Sequence, residues 1–137
     1  MITQQLKIWL PASQRYNNPG AVMWSTNLWE GAIGKASNGL VIFSTIEEGT
    51  KAGLKTLLTY YRLHKLQTIA SIISRWCPTS GGDTSEYIRF VSDYCNRGKD
   101  DFINLEDLPL IFKAISIVEA GKDYLQLKLI KQQFSKI

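Results

Sequence analysis

The stretch from Leu108 to Gly121 constrains most strongly how this chain can fold. Apolar residues at Leu108, Ile111, Phe112, Ile115 and Val118 recur at three- and four-residue intervals, the spacing of a helix laid against a core. Asp107 is placed to cap this helix, and Pro109 falls in its first turn, where backbone N–H groups have no intrahelical partner. Gly121 is placed to end it in a left-handed turn. Glu119 is the odd member: it follows Ile115 by four residues and Phe112 by seven, so it shares their face at the negative end of the helix dipole. Partial desolvation and the dipole both disfavour the carboxylate and raise its pKa. A general acid requires that environment. The competing reading is a frayed last turn that swings Glu119 into water.

At 137 residues, with 45% hydrophobic and 20% charged side chains, the expectation is a single domain spanning 1–137 that buries its own core without staples. No apolar run approaches the roughly 18 to 20 residues of a membrane span. Met1 to Pro11 lacks the continuous apolar core and cleavage site of a secretory signal. A net charge of +4 suits an anionic partner, whether nucleic acid, a cell-wall polymer or an anionic membrane surface. No run of like charges marks a nucleic-acid tail, so nucleic acid is not the expected partner. Two cysteines, Cys77 and Cys95, and one histidine, His64, are too few for a zinc site, and neither metal nor cofactor is expected. The cysteines read as buried free thiols or as a bridged pair. His64 reads as a surface residue at a helix end.

Residues 1 to 43 are punctuated by Pro11, Asn17-Asn18-Pro19-Gly20, Gly31, Gly34 and Asn38-Gly39. Asn-Pro-Gly predicts a tight turn. Asn38-Gly39 before Leu40 to Phe43 predicts a hairpin whose other strand lies near Gly31 to Lys35. Aromatic residues Trp9, Tyr16, Trp24, Trp29 and Phe43 accompany these turns, as in sugar-binding clefts and equally in packed loops. From Ser44 the period becomes helical. Ser44 to Glu47 has the spacing of a capping box, with Thr45 to Glu48 as a second register, and a helix follows over about 46–62 through Leu54, Leu57, Leu58 and Tyr61. Further helices are predicted over 67–76, from Asp83-Thr84-Ser85-Glu86 with Tyr87, Phe90, Val91 and Tyr94 inward, over 108–121, and over 124–134. Residues 77–82 read as a loop. The expected fold class is α+β and mostly helical, about five helices after a small N-terminal β and turn region.

The order of these signals resembles a family of small phage and prophage proteins described as virion proteins or as endolysins with a lysozyme-like fold. The resemblance runs over about residues 15 to 124, through Tyr16-Asn17-Asn18-Pro19-Gly20, Phe43 to Gly49, Ile69 to Trp76 with Pro78, Asp83 to Ile88, and Ala114-Ile115 to Gly121. This chain departs from the pattern at Ala21, at Ser80-Gly81-Gly82 and at Ala120. Glu119-Ala120-Gly121 also looks like the helix end that carries the catalytic Glu of lysozyme-like lytic transglycosylases. The turn-rich region here precedes that helix, the order of a circularly permuted lysozyme-like domain.

The resemblance implies a phage-type muramidase acting on peptidoglycan, either as a lysozyme or as a lytic transglycosylase, with Glu119 as general acid. A two-carboxylate route needs a partner, for which Glu47 is the candidate, although its capping position gives it a structural role. A transglycosylase needs one acid/base group. Tyr16, Asn17, Asn18 and Tyr87 are the expected glycan-binding residues. The alternative is a catalytically inactive virion protein that keeps the fold and assembles with other virion proteins. The implied location is the virion, or the bacterial periplasm and cell wall after delivery.

Overall fold

The helix that dominates the sequence pattern is the central one. In the computed structural model, which describes residues 10–78 and 82–137, it runs over Leu108–Ala120. Trp9 and positions 79–81 of the loop lie outside the described residues. Those residues form α1 (Ala12–Arg15), β1 (Ala32–Lys35), β2 (Val41–Phe43), α2 (Ile46–Arg62), α3 (Ile69–Trp76), α4 (Gly82–Cys95), a 3-10 turn (Leu105–Asp107), α5 (Leu108–Ala120) and α6 (Leu127–Phe134). The architecture is mixed α/β, about half helical, with six α-helices and one two-stranded sheet among the described residues. No described helix is long and apolar enough to cross a membrane.

Helix α5 is packed on by α1, α2, α4 and α6. Leu108, Ile111, Phe112, Ala114 and Ile115 are buried, joined by Leu54 and Leu57 of α2, Ile69, Ile72 and Ile73 of α3, Tyr87 and Val91 of α4, and Ile130 of α6. Gly121 takes the left-handed conformation (φ 73°) and donates its N–H to Ile117 O at 2.8 Å, closing the helix as its position predicts. Asp107 does not cap α5. Its carboxylate accepts from Asn104 N at 2.7 Å and from Arg97 at 3.0 Å, so it closes the preceding 3-10 turn. Lys113 is buried and donates both to Asp123 and to the Leu125 carbonyl, tying the segment after α5 back onto the helix.

The hairpin pairs Ala32 with Phe43 and Lys35 with Val41, antiparallel, with an irregularity between Ala32 and Gly34. Val41 and Phe43 form a second, smaller core with Ala52 of α2. The Asn17-to-Gly20 turn is docked by backbone contact. The Asn17 carbonyl oxygen lies 1.7 Å from where a Cβ on Gly49 would stand, so only glycine fits there. Gly53 likewise leaves room for the Phe112 ring, 2.3 Å from its would-be Cβ.

Local signals explain the helix starts, with two corrections. Thr45 caps α2 by accepting from Glu48 N at 3.2 Å, the second of the two registers. Helix α4 begins at Gly82, one residue before the anticipated Asp83 capping box, so the acidic side chain sits inside the first turn. Tyr94, expected inward, is exposed and stacks on Phe90 at 5.9 Å between ring centroids. Helix α3 also carries a capping box between Thr68 and Ser71, which the Ser/Thr/Asp-to-Glu spacing used for α2 and α4 does not detect.

Candidate active site

Glu119 lies in the last turn of α5, held there by the Gly121 cap. It is half-buried, and its Oε2 accepts a hydrogen bond from the Tyr87 hydroxyl at 2.8 Å. Burial pushes the carboxyl pKa up, and the Tyr87 hydrogen bond opposes it without cancelling it. Tyr87 is itself buried, and desolvation with the neighbouring Glu119 charge raises its pKa, so it stays a protonated donor. The arrangement is a carboxyl poised to hold a proton beside a donor that stabilises the anion once that proton leaves.

Cys77 also neighbours the Tyr87 phenol, and its carbonyl accepts from Thr84 Oγ1 at 3.1 Å. This residue lies between Trp76 and Pro78, which line a cleft of about 380 Å³. Across that cleft stand Gly20 to Met23 and Trp29, with Tyr60 and Arg75 on the helical side. Tyr60 and Trp76 meet edge to face at 6.0 Å, and the Arg75 guanidinium lies 5.2 Å over the Tyr60 ring. Trp29 Nε1 is buried without a hydrogen-bond partner. The Trp76–Pro78 segment therefore joins an aromatic cleft to the Tyr87–Glu119 pair. Along α5, Glu119 is seven residues beyond Phe112, which packs on Trp76, so about 10 Å of helix separates the two positions.

The other anticipated residues have different positions. Asn18 is fully buried: its Nδ2 donates to Val22 O and Val41 O at 2.9 Å each, and its Oδ1 accepts from Val22 N at 2.9 Å. It bridges turn and strand, and its side chain is wholly enclosed. The Tyr87 ring is buried too, so it serves Glu119 and offers no stacking face. Asn17 has a left-handed backbone (φ 53°) and donates Nδ2 to Phe43 O at 3.1 Å. It lines a second groove with Gln14 and Tyr124. Tyr16 is half-buried under the Arg15 guanidinium, 4.8 Å from its ring centroid. Glu47 is exposed on the first turn of α2, and its neighbour Glu48, not Glu47, takes part in the cap. His64 is exposed beside Tyr60. Cys77 and Cys95 are not bridged, and burial with nearby Asp107 pushes the Cys95 thiol up to about 11.

Three cleft residues do not stand out as a set in the sequence: Trp29, Tyr60 and Trp76. A signal exists at Tyr60, which stands off the apolar stripe of α2 beside the inward Tyr61.

No family model matches the chain. Over 130 residues the chain is 32% identical to Protein P5 of Pseudoalteromonas phage PM2, a match covering 88% of this chain and 78% of that protein.

Proposed function

This chain belongs to the family of Protein P5 of Pseudoalteromonas phage PM2 and is thus phage-related, and on that premise we propose that it cleaves the glycan strand of peptidoglycan from a lysozyme-like, circularly permuted fold. The observation that carries this reading is the Glu119 carboxyl, desolvated at the end of the central helix, its pKa raised, with the Tyr87 hydroxyl 2.8 Å away. Glu119 protonates the glycosidic oxygen as the bond to the anomeric carbon breaks. Tyr87 stabilises the carboxylate left behind. A lytic transglycosylase route, which needs one acid/base residue, is favoured over a two-carboxylate hydrolysis, because the candidate partner Glu47 stands exposed on the first turn of α2. A hydroxyl of the substrate attacks the anomeric carbon, and Glu119 takes that hydroxyl's proton, regenerating the acid and leaving an anhydro-sugar. The aromatic cleft with Trp29, Tyr60 and Trp76 supplies the stacking faces a glycan uses.

Clearing of purified peptidoglycan tests the reading. Glu119→Gln keeps the shape and an acceptor for Tyr87 but removes the proton, and clearing is expected to fall at least about a hundredfold. Anhydro-muropeptides among the products separate transglycosylation from hydrolysis, which leaves reducing ends. A catalytically inactive virion component keeping the same fold is the second reading, favoured by the purely structural use of Asn18. It predicts no clearing by the parent protein.

A further inference from the structure

A groove of about 690 Å³ adjoins the aromatic cleft, and Asn27 and Trp29 line both. The two differ in charge. Arg75 is the one charged residue in the lining of the aromatic cleft. The neighbouring groove has Lys55 and Arg62 of α2, with Glu30 as its acidic side chain. Glu30 is already taken by Lys51, whose Nζ lies 3.3 Å from its carboxylate. Lys55 and Arg62 form no ion pair among the described residues. Arg62 is exposed, and the Lys55 ammonium is not among the enclosed polar atoms, so both charges are open to solvent. They stand seven residues apart and so share one face of α2 over about 10 Å. Leu28 and Leu63 of the same lining are 91% and 71% exposed. Exposed apolar side chains beside unpaired cations mark a surface that a ligand covers.

Resting on the glycan-cleaving reading of the adjoining cleft, we propose that this groove takes the carboxylates carried by substituents of the glycan strand on Lys55 and Arg62, so that the protein selects an anionic strand over a neutral one. Sugar rings stacked in the aromatic cleft lead past Trp29 and Asn27 directly into the basic groove. Leu28 and Leu63 cover the aliphatic parts of a substituent while the cations hold its charge. In peptidoglycan the carboxylate comes either from the lactyl group on the sugar or from an acidic residue of the peptide attached there. Both present the same group to an ammonium or to the paired N–H groups of a guanidinium. The cations are sparse, as are carboxylates borne on alternate sugars. A phosphate backbone carries a charge at every residue and is tracked by a denser row of lysines and arginines.

Titration calorimetry on the full chain tests this with four probes. They are tetraacetylchitotetraose, which is neutral; the N-acetylglucosamine–N-acetylmuramic acid tetrasaccharide with free lactyl carboxylates; the same tetrasaccharide carrying L-alanyl-D-glutamate; and octathymidylate. The parent is expected to bind at least one carboxylate strand about tenfold more tightly than chitotetraose, and the preference should shrink at high salt. The strand that shows it identifies the source of the carboxylate. A Lys55→Gln, Arg62→Gln double variant should lose most of the preference, each lost pair weakening binding about two- to fivefold, while its affinity for chitotetraose stays that of the parent. Equal affinity for charged and neutral strands would overturn the inference. So would a double variant that keeps the preference, one that loses chitotetraose to the same extent, or tighter binding of octathymidylate than of either strand. A salt-sensitive preference in a protein that clears no cell wall would leave the groove standing and remove the lytic reading. Clearing without any preference for the anionic strand would do the reverse.

Discussion

The helical region from Ile46 onward and the turn-and-hairpin region before it are held together by different physics. Around α5 the contacts are apolar: Leu57, Ile72, Phe112, Ile115 and Ile130 are essentially without solvent exposure. Ahead of α2 the apolar core shrinks to Val41 and Phe43 against Ala52. Hydrogen bonds and close backbone approach carry the rest. Asn18 binds Val22 and Val41, Phe43 N donates to Tyr16 O at 2.9 Å, Val41 N donates to Val22 O at 3.0 Å, and Asn17 O seats on Gly49. Apolar burial is non-directional and tolerates repacking, whereas a polar latch fails when one partner goes. The Tyr87–Glu119 pair belongs wholly to the helical side, and the aromatic cleft is shared between the two.

That contrast can be broken by mutation on each side. The larger effect is expected in the helical core. Ile115→Ala removes a fully buried side chain from the central helix and should cost about 3 kcal/mol in urea unfolding, lowering hydrogen-exchange protection in α2, α4 and α6 together. Asn18→Ala should cost less, about 2 kcal/mol, because it takes the Asn18 partner from Val22 N and from the buried Val41 O, while Val22 O keeps its bond from Val41 N. Its loss of protection should be confined to residues 16–24 and 40–43, with α5 unchanged. Uniform loss of protection in both variants would show that the two regions unfold as one unit and that their different contacts have no separate consequence.

The same contrast explains what is legible in the sequence. Apolar spacing locates α2, α3 and α6 because each turns an apolar stripe inward, and it locates α5 although that helix is buried on nearly every side, Lys113 and Ser116 included; Asn38-Gly39 locates the hairpin because that dipeptide supplies the positive φ the turn needs (Gly39, φ 90°). Spacing also puts Glu119 on the buried face of α5. The role of its partner is not legible in the same way. Periodicity sets Tyr87 inward but carries no information about which residue of another helix its hydroxyl meets, so a glycan contact was expected where the structure has a bond to Glu119. Asn17 and Asn18 show the limit more sharply. An Asn-Asn-Pro-Gly turn has the composition of a ligand-binding loop and of a backbone latch alike. Only the approach of Asn17 O to Gly49, thirty-two residues away in sequence, distinguishes them. The groove of Gln14 and Tyr124 joins residues from opposite ends of the chain and leaves no local pattern to read.

The smallest expected effect concerns how pH acts on the helical side alone. Burial raises the Glu119 pKa in the folded protein above its ordinary value of 4.5, the Tyr87 bond opposing it in part. The fold therefore favours the protonated carboxyl. The stability this contributes is fully present below about pH 4.5 and is lost as pH rises through the folded-state pKa. Glu119→Gln is neutral throughout and keeps an oxygen for Tyr87. Parent and variant should melt alike at pH 4, and the variant should gain on the parent as pH is raised, the gap levelling once the carboxyl is ionised. Tyr87→Phe removes the bond that favours the anion, so against a Tyr87→Phe, Glu119→Gln double variant the gap should open further toward alkaline pH. Thermal melts of the four proteins from pH 4 to 9 follow this directly. A parent-to-Gln difference that stays constant over that range would mean that Glu119 titrates as a solvated side chain, and the proton its proposed chemistry needs would not be held at neutral pH.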